Sequence, residues 1–108
     1  MNWNNITKEE FIERIILELK QVFDPEIPVD IYNLGLIYNI TATDDFDVTI
    51  DMTLTAPNCP VATILPGQVK NRIQNLPRVR NVTVNLTFDP PWDMERLTEE
   101  AKLILNLD

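Results

Sequence analysis

Two stretches of this sequence alternate between apolar and polar residues with the period of a β-strand. The stretch FDVTIDMTL (46–54) has an apolar residue at every second position, and VRNVTVNLTF (79–88) has one at every second position from Val82 onward. Successive side chains of a strand point to opposite faces, so each stretch is expected to bury one face and expose the other. The residues expected to face inward are Val48, Ile50, Met52 and Leu54 in the first stretch and Val82, Val84, Leu86 and Phe88 in the second.

The segment between the two strands has helical character. Val69, Ile73 and Leu76 follow one another at spacings of four and three residues, which is typical of a helix face. A strand, a helix and a strand in this order predict a right-handed parallel crossover. We expect Pro66 and Gly67 to kink or split the helix, because a proline within a helix removes a backbone hydrogen bond.

The first half of the chain predicts a helix followed by a hairpin. Thr7 and Glu10 match a capping box, and an apolar periodicity continues to residue 23, where Pro25 is expected to end the helix. Residues 24–35 are expected to form an ordered loop. A strand over 36–42 then pairs with 46–54 through a turn at Asp44 and Asp45.

The last part of the chain predicts a rigid turn, FDPPWD, and a final helix. Asp93 is the expected helix cap, and Trp92 is expected to anchor the helix by packing. The apolar positions of this helix are Leu97, Ala101, Ile104 and Leu105. The order α-β-β-α-β-α predicts an α+β, two-layer fold with a small three-stranded mixed sheet and helices on its apolar face. We expect one domain over 1–108, with an ordered core of about 8–105.

Composition and charge narrow the classes of function. The formal charge is −8, from 17 acidic and 9 basic residues, so nucleic acids are disfavoured as partners and proteins are favoured. No apolar run approaches the roughly 20 residues of a membrane span, and the first ten residues do not have the pattern of a secretory signal. One cysteine forms no internal disulfide, which is typical of a cytoplasmic protein.

The chain contains no histidine. The Ser-His and Cys-His pairs that activate most nucleophiles are therefore excluded, as is the commonest ligand of zinc and iron. Chemistry in this protein depends on carboxylates, hydroxyls, backbone groups and the thiol of Cys59. If a helix begins at Pro60, Cys59 is its N-cap, where the helix dipole favours the thiolate. The alternative is that Cys59 is a small buried apolar residue with a structural role.

Three stretches resemble motifs of the SufT/PaaD-like family of metal–sulfur cluster assembly factors, of the SufT type. They are DPEIPVDIYNLGLIY (24–38), MTLTAPNCPVA (52–62) and FDPPWDMERLTEEAK (88–102). The resemblance implies the fold of an iron–sulfur cluster assembly domain and a role as carrier or adaptor between scaffold and client proteins. It also implies that Cys59 handles the cluster, that Asp24 matches the acidic residue of the first motif, and that Glu26 lies close behind. The alternative for Asp24 is that it only caps or closes the loop. Many relatives have glycine where this chain has Asn58, which narrows the space beside the sulfur.

A protein-bound cluster normally takes four thiolates, and this chain has one. If Cys59 is the metal ligand, an iron–sulfur cluster or iron is bound transiently and shared. The other ligands then come from a second copy in a homodimer, from a client, from a small thiol, or from Asp24 or Glu26. An exposed sheet edge would favour pairing with another chain. Thr53 and Thr55, expected to point outward from the strand, carry hydroxyls that could line the site.

Three functions are compatible with these residues. The first is a non-catalytic maturation factor for iron–sulfur proteins. The second is an accessory subunit of a phenylacetyl-CoA oxygenase system, as in PaaD-type members; those relatives usually carry further cysteines in a C-terminal extension, so we expect the first function instead. The third is an enzyme with Cys59 as nucleophile and Asp24 or Glu26 as base, which the absence of histidine disfavours.

Overall fold

A computed structural model of the chain describes residues 6–24, 27–55 and 64–106. Within these ranges three helices and three strands follow one another in the predicted order, with one 3-10 turn before the last helix. They are α1 (Lys8–Leu19), β1 (Ile37–Ala42), β2 (Asp47–Met52), α2 (Leu65–Gln74), β3 (Asn81–Leu86), the 3-10 turn Met94–Arg96 and α3 (Glu99–Ile104).

β2 is the central strand of a mixed sheet with the order β1-β2-β3. It pairs antiparallel with β1, with Ile40 opposite Ile50, and parallel with β3, with Ile50 opposite Val84. The predicted hairpin and the predicted parallel pairing of β2 and β3 are therefore confirmed. α1 packs against α2 and β1, and α2 also packs against β3, so the fold is the expected small α+β fold.

The two faces of the sheet differ as the alternation predicts. Val48, Ile50 and Met52 are buried under the helices. The opposite face carries polar rows across the strands, such as Thr41, Thr49 and Thr83. In such a polar row the amide of Asn85 donates a hydrogen bond to Asp51 at 3.0 Å. The core therefore lies on one side of the sheet.

The capping box at the start of α1 is confirmed, but the predicted end of the helix at residue 23 is wrong. Thr7 and Glu10 bond to each other's backbone N–H groups at 3.1 and 3.3 Å. The helix ends at Leu19. Beyond it the chain turns and forms a short bridge between Phe23 and Asp30, which leaves the Phe23 side chain 56% exposed. Backbone pairing across the loop thus replaces the last predicted helical turn.

The expected kink at Pro66 and Gly67 is also wrong. α2 begins at Leu65, so Pro66 lies in the first turn, where its missing N–H leaves no helical bond unmade. Val69 and Ile73 then reach the core as predicted.

The inward face of β3 is less buried than its alternation predicts. Val82 is buried, but Leu86 and Phe88 are 37% and 38% exposed. β3 is an edge strand with a strand neighbour on one side, so its far end has less cover than β2.

The final helix differs from the prediction in its cap and in its length. Thr98 caps α3 by accepting a bond from the Ala101 N–H at 3.2 Å, whereas Asp93 caps the preceding 3-10 turn. Leu97 precedes α3 and is buried with Ala101, and Ile104 is exposed.

Candidate functional site

Asp24 closes the loop that follows α1. Its carboxylate oxygen Oδ1 accepts a bond from the Ile27 N–H at 3.1 Å, and its own N–H donates to the Val29 carbonyl at 3.3 Å. The residue is buried. Asp24 therefore fixes the backbone on both sides of positions 25 and 26, whatever further role its carboxylate has.

Thr53 and Thr55 continue β2 toward the second motif. The prediction that Thr53 points outward is wrong: its side chain is fully buried, and within the described residues its hydroxyl has no hydrogen-bond partner. The Thr53 N–H donates to the Leu36 carbonyl at 2.8 Å, which joins the second motif to the first. Thr55 lies at a half-buried bend directly before residue 56.

The remaining predicted site residues, Glu26, Asn58 and Cys59, lie outside the described residues, as does the predicted helix start at Pro60. Asp24 directly precedes residues 25–26, and Thr55 directly precedes residues 56–63. After residues 56–63, α2 follows Ile64, whose side chain makes no capping bond.

A buried polar cluster that the sequence reading missed joins the first and third motifs. The Asp30 carboxylate accepts bonds from the backbone and side-chain N–H groups of Asn33 at 2.9 and 2.7 Å. The Thr98 hydroxyl donates to Asn33 Oδ1 at 2.8 Å, and the Thr98 N–H donates to the Asn33 carbonyl at 3.0 Å. Aspartate side chains often accept a bond from a backbone N–H a few residues later. The spacing of Asp30 and Asn33 was therefore a local signal of this contact.

The aromatic turn of the third motif packs against the same loop. The Trp92 indole donates to the Leu34 carbonyl at 2.6 Å. Trp92 therefore anchors the loop of the first motif, whereas the sequence predicted that it anchors the final helix. The Tyr38 hydroxyl donates to the Pro90 carbonyl at 2.8 Å. Together with the bond from Thr53 to Leu36, these contacts bring parts of all three motifs into one unit.

Within the described ranges, no three side chains of the kind that bind metals come close enough to share an ion. The helices described are also too short or too polar to cross a bilayer.

Comparison with known proteins agrees with the motifs. Residues 12–86 match a family model described as iron–sulfur cluster assembly protein. A protein of Porphyromonas gingivalis named Fe-S protein maturation auxiliary factor is 46% identical over 86% of this chain and 89% of its own length. The Fe-S protein maturation auxiliary factor SufT of Staphylococcus aureus is 37% identical over 80% of this chain and 98% of its own.

The fold comparison gives the same result. A crystal structure of a domain of unknown function from Bacillus anthracis superposes with a TM-score of 0.86 at 38% identity, covering 94% of this chain and 96% of that one. The resemblance to SufT-type proteins is confirmed, whereas these relatives give no support to the PaaD-type alternative. On the combined basis of the matched model, the relatives and the fold, the chain belongs to the iron–sulfur cluster assembly protein family.

Proposed function

We propose that this protein acts in the maturation of iron–sulfur proteins as a non-catalytic carrier or adaptor. The observation that carries the proposal is the similarity, over most of the chain, to proteins named maturation auxiliary factors. The cargo is an iron–sulfur cluster or iron, and the partners are the scaffold that supplies it and the client that receives it. The charge of −8 favours partner surfaces that are basic.

In this proposal Cys59 supplies one ligand to the cargo and the partner supplies the rest. Four thiolates normally hold a cluster, and the chain has a single cysteine. A site with so few ligands of its own releases its cargo readily, which suits a carrier. A second copy of the chain could supply another thiolate, so a cluster bridging a homodimer is the alternative arrangement.

The described residues support a fixed frame around the candidate ligands. The Asp24 carboxylate and N–H bond to Ile27 and Val29, directly after Glu26. The Thr53 N–H bonds to Leu36, shortly before Asn58 and Cys59. We infer that Asp24 is a positioning residue for the first motif, and that Glu26, Thr55 and Asn58 flank the cargo.

The proposal is tested by replacing Cys59 in the host. We expect Cys59→Ala to lower the activity of cluster-containing enzymes as far as deletion of the whole gene does, at an unchanged level of this protein. Cys59→Ser, which keeps the side-chain size, separates loss of the thiolate from loss of packing. Thr83→Ala, on the exposed side of β3, is the control and should retain full maturation.

The outcomes separate the parts of the proposal. A deletion that leaves cluster enzymes unchanged refutes the maturation role. If the deletion has an effect and Cys59→Ala has none, ligation by Cys59 is refuted and an adaptor role remains.

Anaerobic reconstitution with iron and sulfide tests the bridged homodimer. A cluster that bridges two copies is expected to show its absorbance together with a doubled mass in solution. A colourless monomer that still supports maturation in the host would contradict the bridged dimer and leave either ligation shared with a partner or an adaptor role.

A further inference from the structure

We propose that a groove beside the first motif binds a carboxylate group carried on an apolar body. The groove has a volume of about 460 Å³ and is lined by Gly35, Ile37, Tyr38, Pro90 and Arg96. Arg96 is the cation that would hold the carboxylate. Neither the proposed role of Cys59 nor iron–sulfur maturation enters this inference.

Arg96 is held in place before any ligand arrives. Its guanidinium stacks on the Tyr38 ring, 4.6 Å from the ring centre. That ring is itself fixed, because the Tyr38 hydroxyl donates to the Pro90 carbonyl at 2.8 Å. The backbones of Gly35 and Arg96 also lie in close contact. An arginine whose position is already set loses little conformational freedom on binding.

The donors of Arg96 lack an acceptor among the described residues. Its Nε is buried and makes no hydrogen bond, and no carboxylate of the described chain pairs with its guanidinium. Arg72 and Arg80, in contrast, pair with Glu18 and Asp47. Buried N–H groups are nearly always bonded in folded proteins, so the unbonded Nε–H of a residue that lines a groove supports an acceptor supplied by a ligand.

The surroundings favour a carboxylate over a phosphate. A guanidinium binds either anion through two parallel hydrogen bonds. The chain carries a net charge of −8, and Asp89, Asp93 and Glu95 are close to Arg96 in sequence, so a doubly charged phosphate is repelled more strongly than a single carboxylate. Ile37 and Pro90 add apolar wall for the body of the ligand.

A second groove of about 210 Å³ shares Ile37 and Tyr38 with the first and continues along β1 to Asn39 and Ile40. The carboxylate could therefore belong to a small organic acid or to a glutamate of an extended peptide that lies beside β1.

The test uses the NMR signal of the Arg96 Nε–H group in the full-length ¹⁵N-labelled protein. Sodium benzoate is titrated at constant ionic strength, with benzamide as the neutral control. In a second arm, an acetylated and amidated pentapeptide with a central glutamate between valines is titrated against its glutamine counterpart. We expect a saturable shift of the Arg96 signal with the carboxylate of each pair and none with the amide.

A matched pair of variants tests the role of the guanidinium. Arg96→Lys keeps the charge but loses the paired donors, and we expect affinity to fall about 10- to 100-fold. Arg78→Lys is the control, because Arg78 also stacks on an aromatic ring, that of Phe46 at 4.9 Å, away from the groove. The affinity of Arg78→Lys for the carboxylate ligands should equal that of the unchanged protein.

Saturation by benzoate supports a small acid as the ligand, and saturation by the glutamate peptide alone supports a peptide. The absence of a saturable shift with both carboxylates overturns the proposal, as does an equal shift with benzamide. Since these titrations use the unchanged protein, they decide the question even if Arg96→Lys fails to fold.

Discussion

The Gly35 backbone lies so close to that of Arg96 that a β-carbon on residue 35 would come 2.3 Å from the Arg96 carbonyl oxygen. Gly35 also has a φ of +81°, a backbone conformation that residues with a side chain rarely adopt. Glycine is therefore required here for two separate reasons, backbone conformation and close approach. This contact joins the loop after α1 to the 3-10 turn before α3.

Gly35→Ala is expected to destabilise the protein by about 2–4 kcal/mol, from the left-handed backbone and the forced separation of the two segments. The measurement is urea unfolding followed by circular dichroism. Gly67→Ala is the control: a β-carbon there meets no atom within 4 Å, and alanine favours the helix. An equal loss of stability in both variants would contradict the role of the contact with Arg96.

Thr53→Val is expected to raise the free energy of unfolding by about 1 kcal/mol. The hydroxyl is buried and unbonded among the described residues, and valine has nearly the same shape without the cost of burying a polar group. Thr83→Val, on the exposed face of β3, should change stability by less than about 0.5 kcal/mol. A loss of stability in Thr53→Val would show that the hydroxyl has an acceptor in the folded protein.

Asn33→Ala is expected to cost about 2–4 kcal/mol. The substitution removes the amide that donates to Asp30 and accepts from Thr98, so the buried Asp30 carboxylate loses a bond. Thermal unfolding measures the effect. Asn39→Ala, which is exposed on β1, is the matched control, and a similar shift in its melting temperature would refute a specific role for the buried cluster.

The pair formed by Asp47 and Arg80 predicts a pH-dependent difference in stability. The hydrogen bond from Arg80 lowers the pKa of Asp47 below its ordinary value of 3.8. Because the pKa is lower in the folded protein than in the unfolded chain, the pairing stabilises the fold above pH 3.8. That stabilisation is lost as the pH falls through the lower pKa.

Asp47→Asn should therefore lower the urea midpoint at pH 7, and the difference from the unchanged protein should shrink below pH 3.8. Asp44→Asn is the control, because the Asp44 side chain is 96% exposed and its pair with Lys8 contributes little. A difference between Asp47→Asn and the unchanged protein that persists undiminished at low pH would mean that charge is not its cause.

The elements that the sequence predicted well depend on local spacing. Alternation identified β2 and β3, and the interval of three residues between Thr7 and Glu10 identified the start of α1. The errors arose where contacts distant in sequence decide the outcome. Phe23 continues the helical pattern of α1, yet the bridge to Asp30 removes it from the helix.

The candidate site shows the same division. The closing role of Asp24 was among the predicted alternatives, because the residue precedes a proline and caps locally. The bond between Asn33 and Thr98 spans 65 positions, and no spacing rule identifies such a pair. Arg96 was missed for the same reason: its groove forms where two stretches distant in sequence meet.

The central position of β2 sets the order in which the sheet can be completed during synthesis. β1 and β2 are joined by four residues, so their ladder can close as soon as residue 52 has left the ribosome. The other side of β2 pairs with a strand that begins at Asn81. A nascent chain that has not yet reached Asn81 therefore has an unpaired edge on β2. A chaperone or another chain can bind to this edge only until β3 has been made.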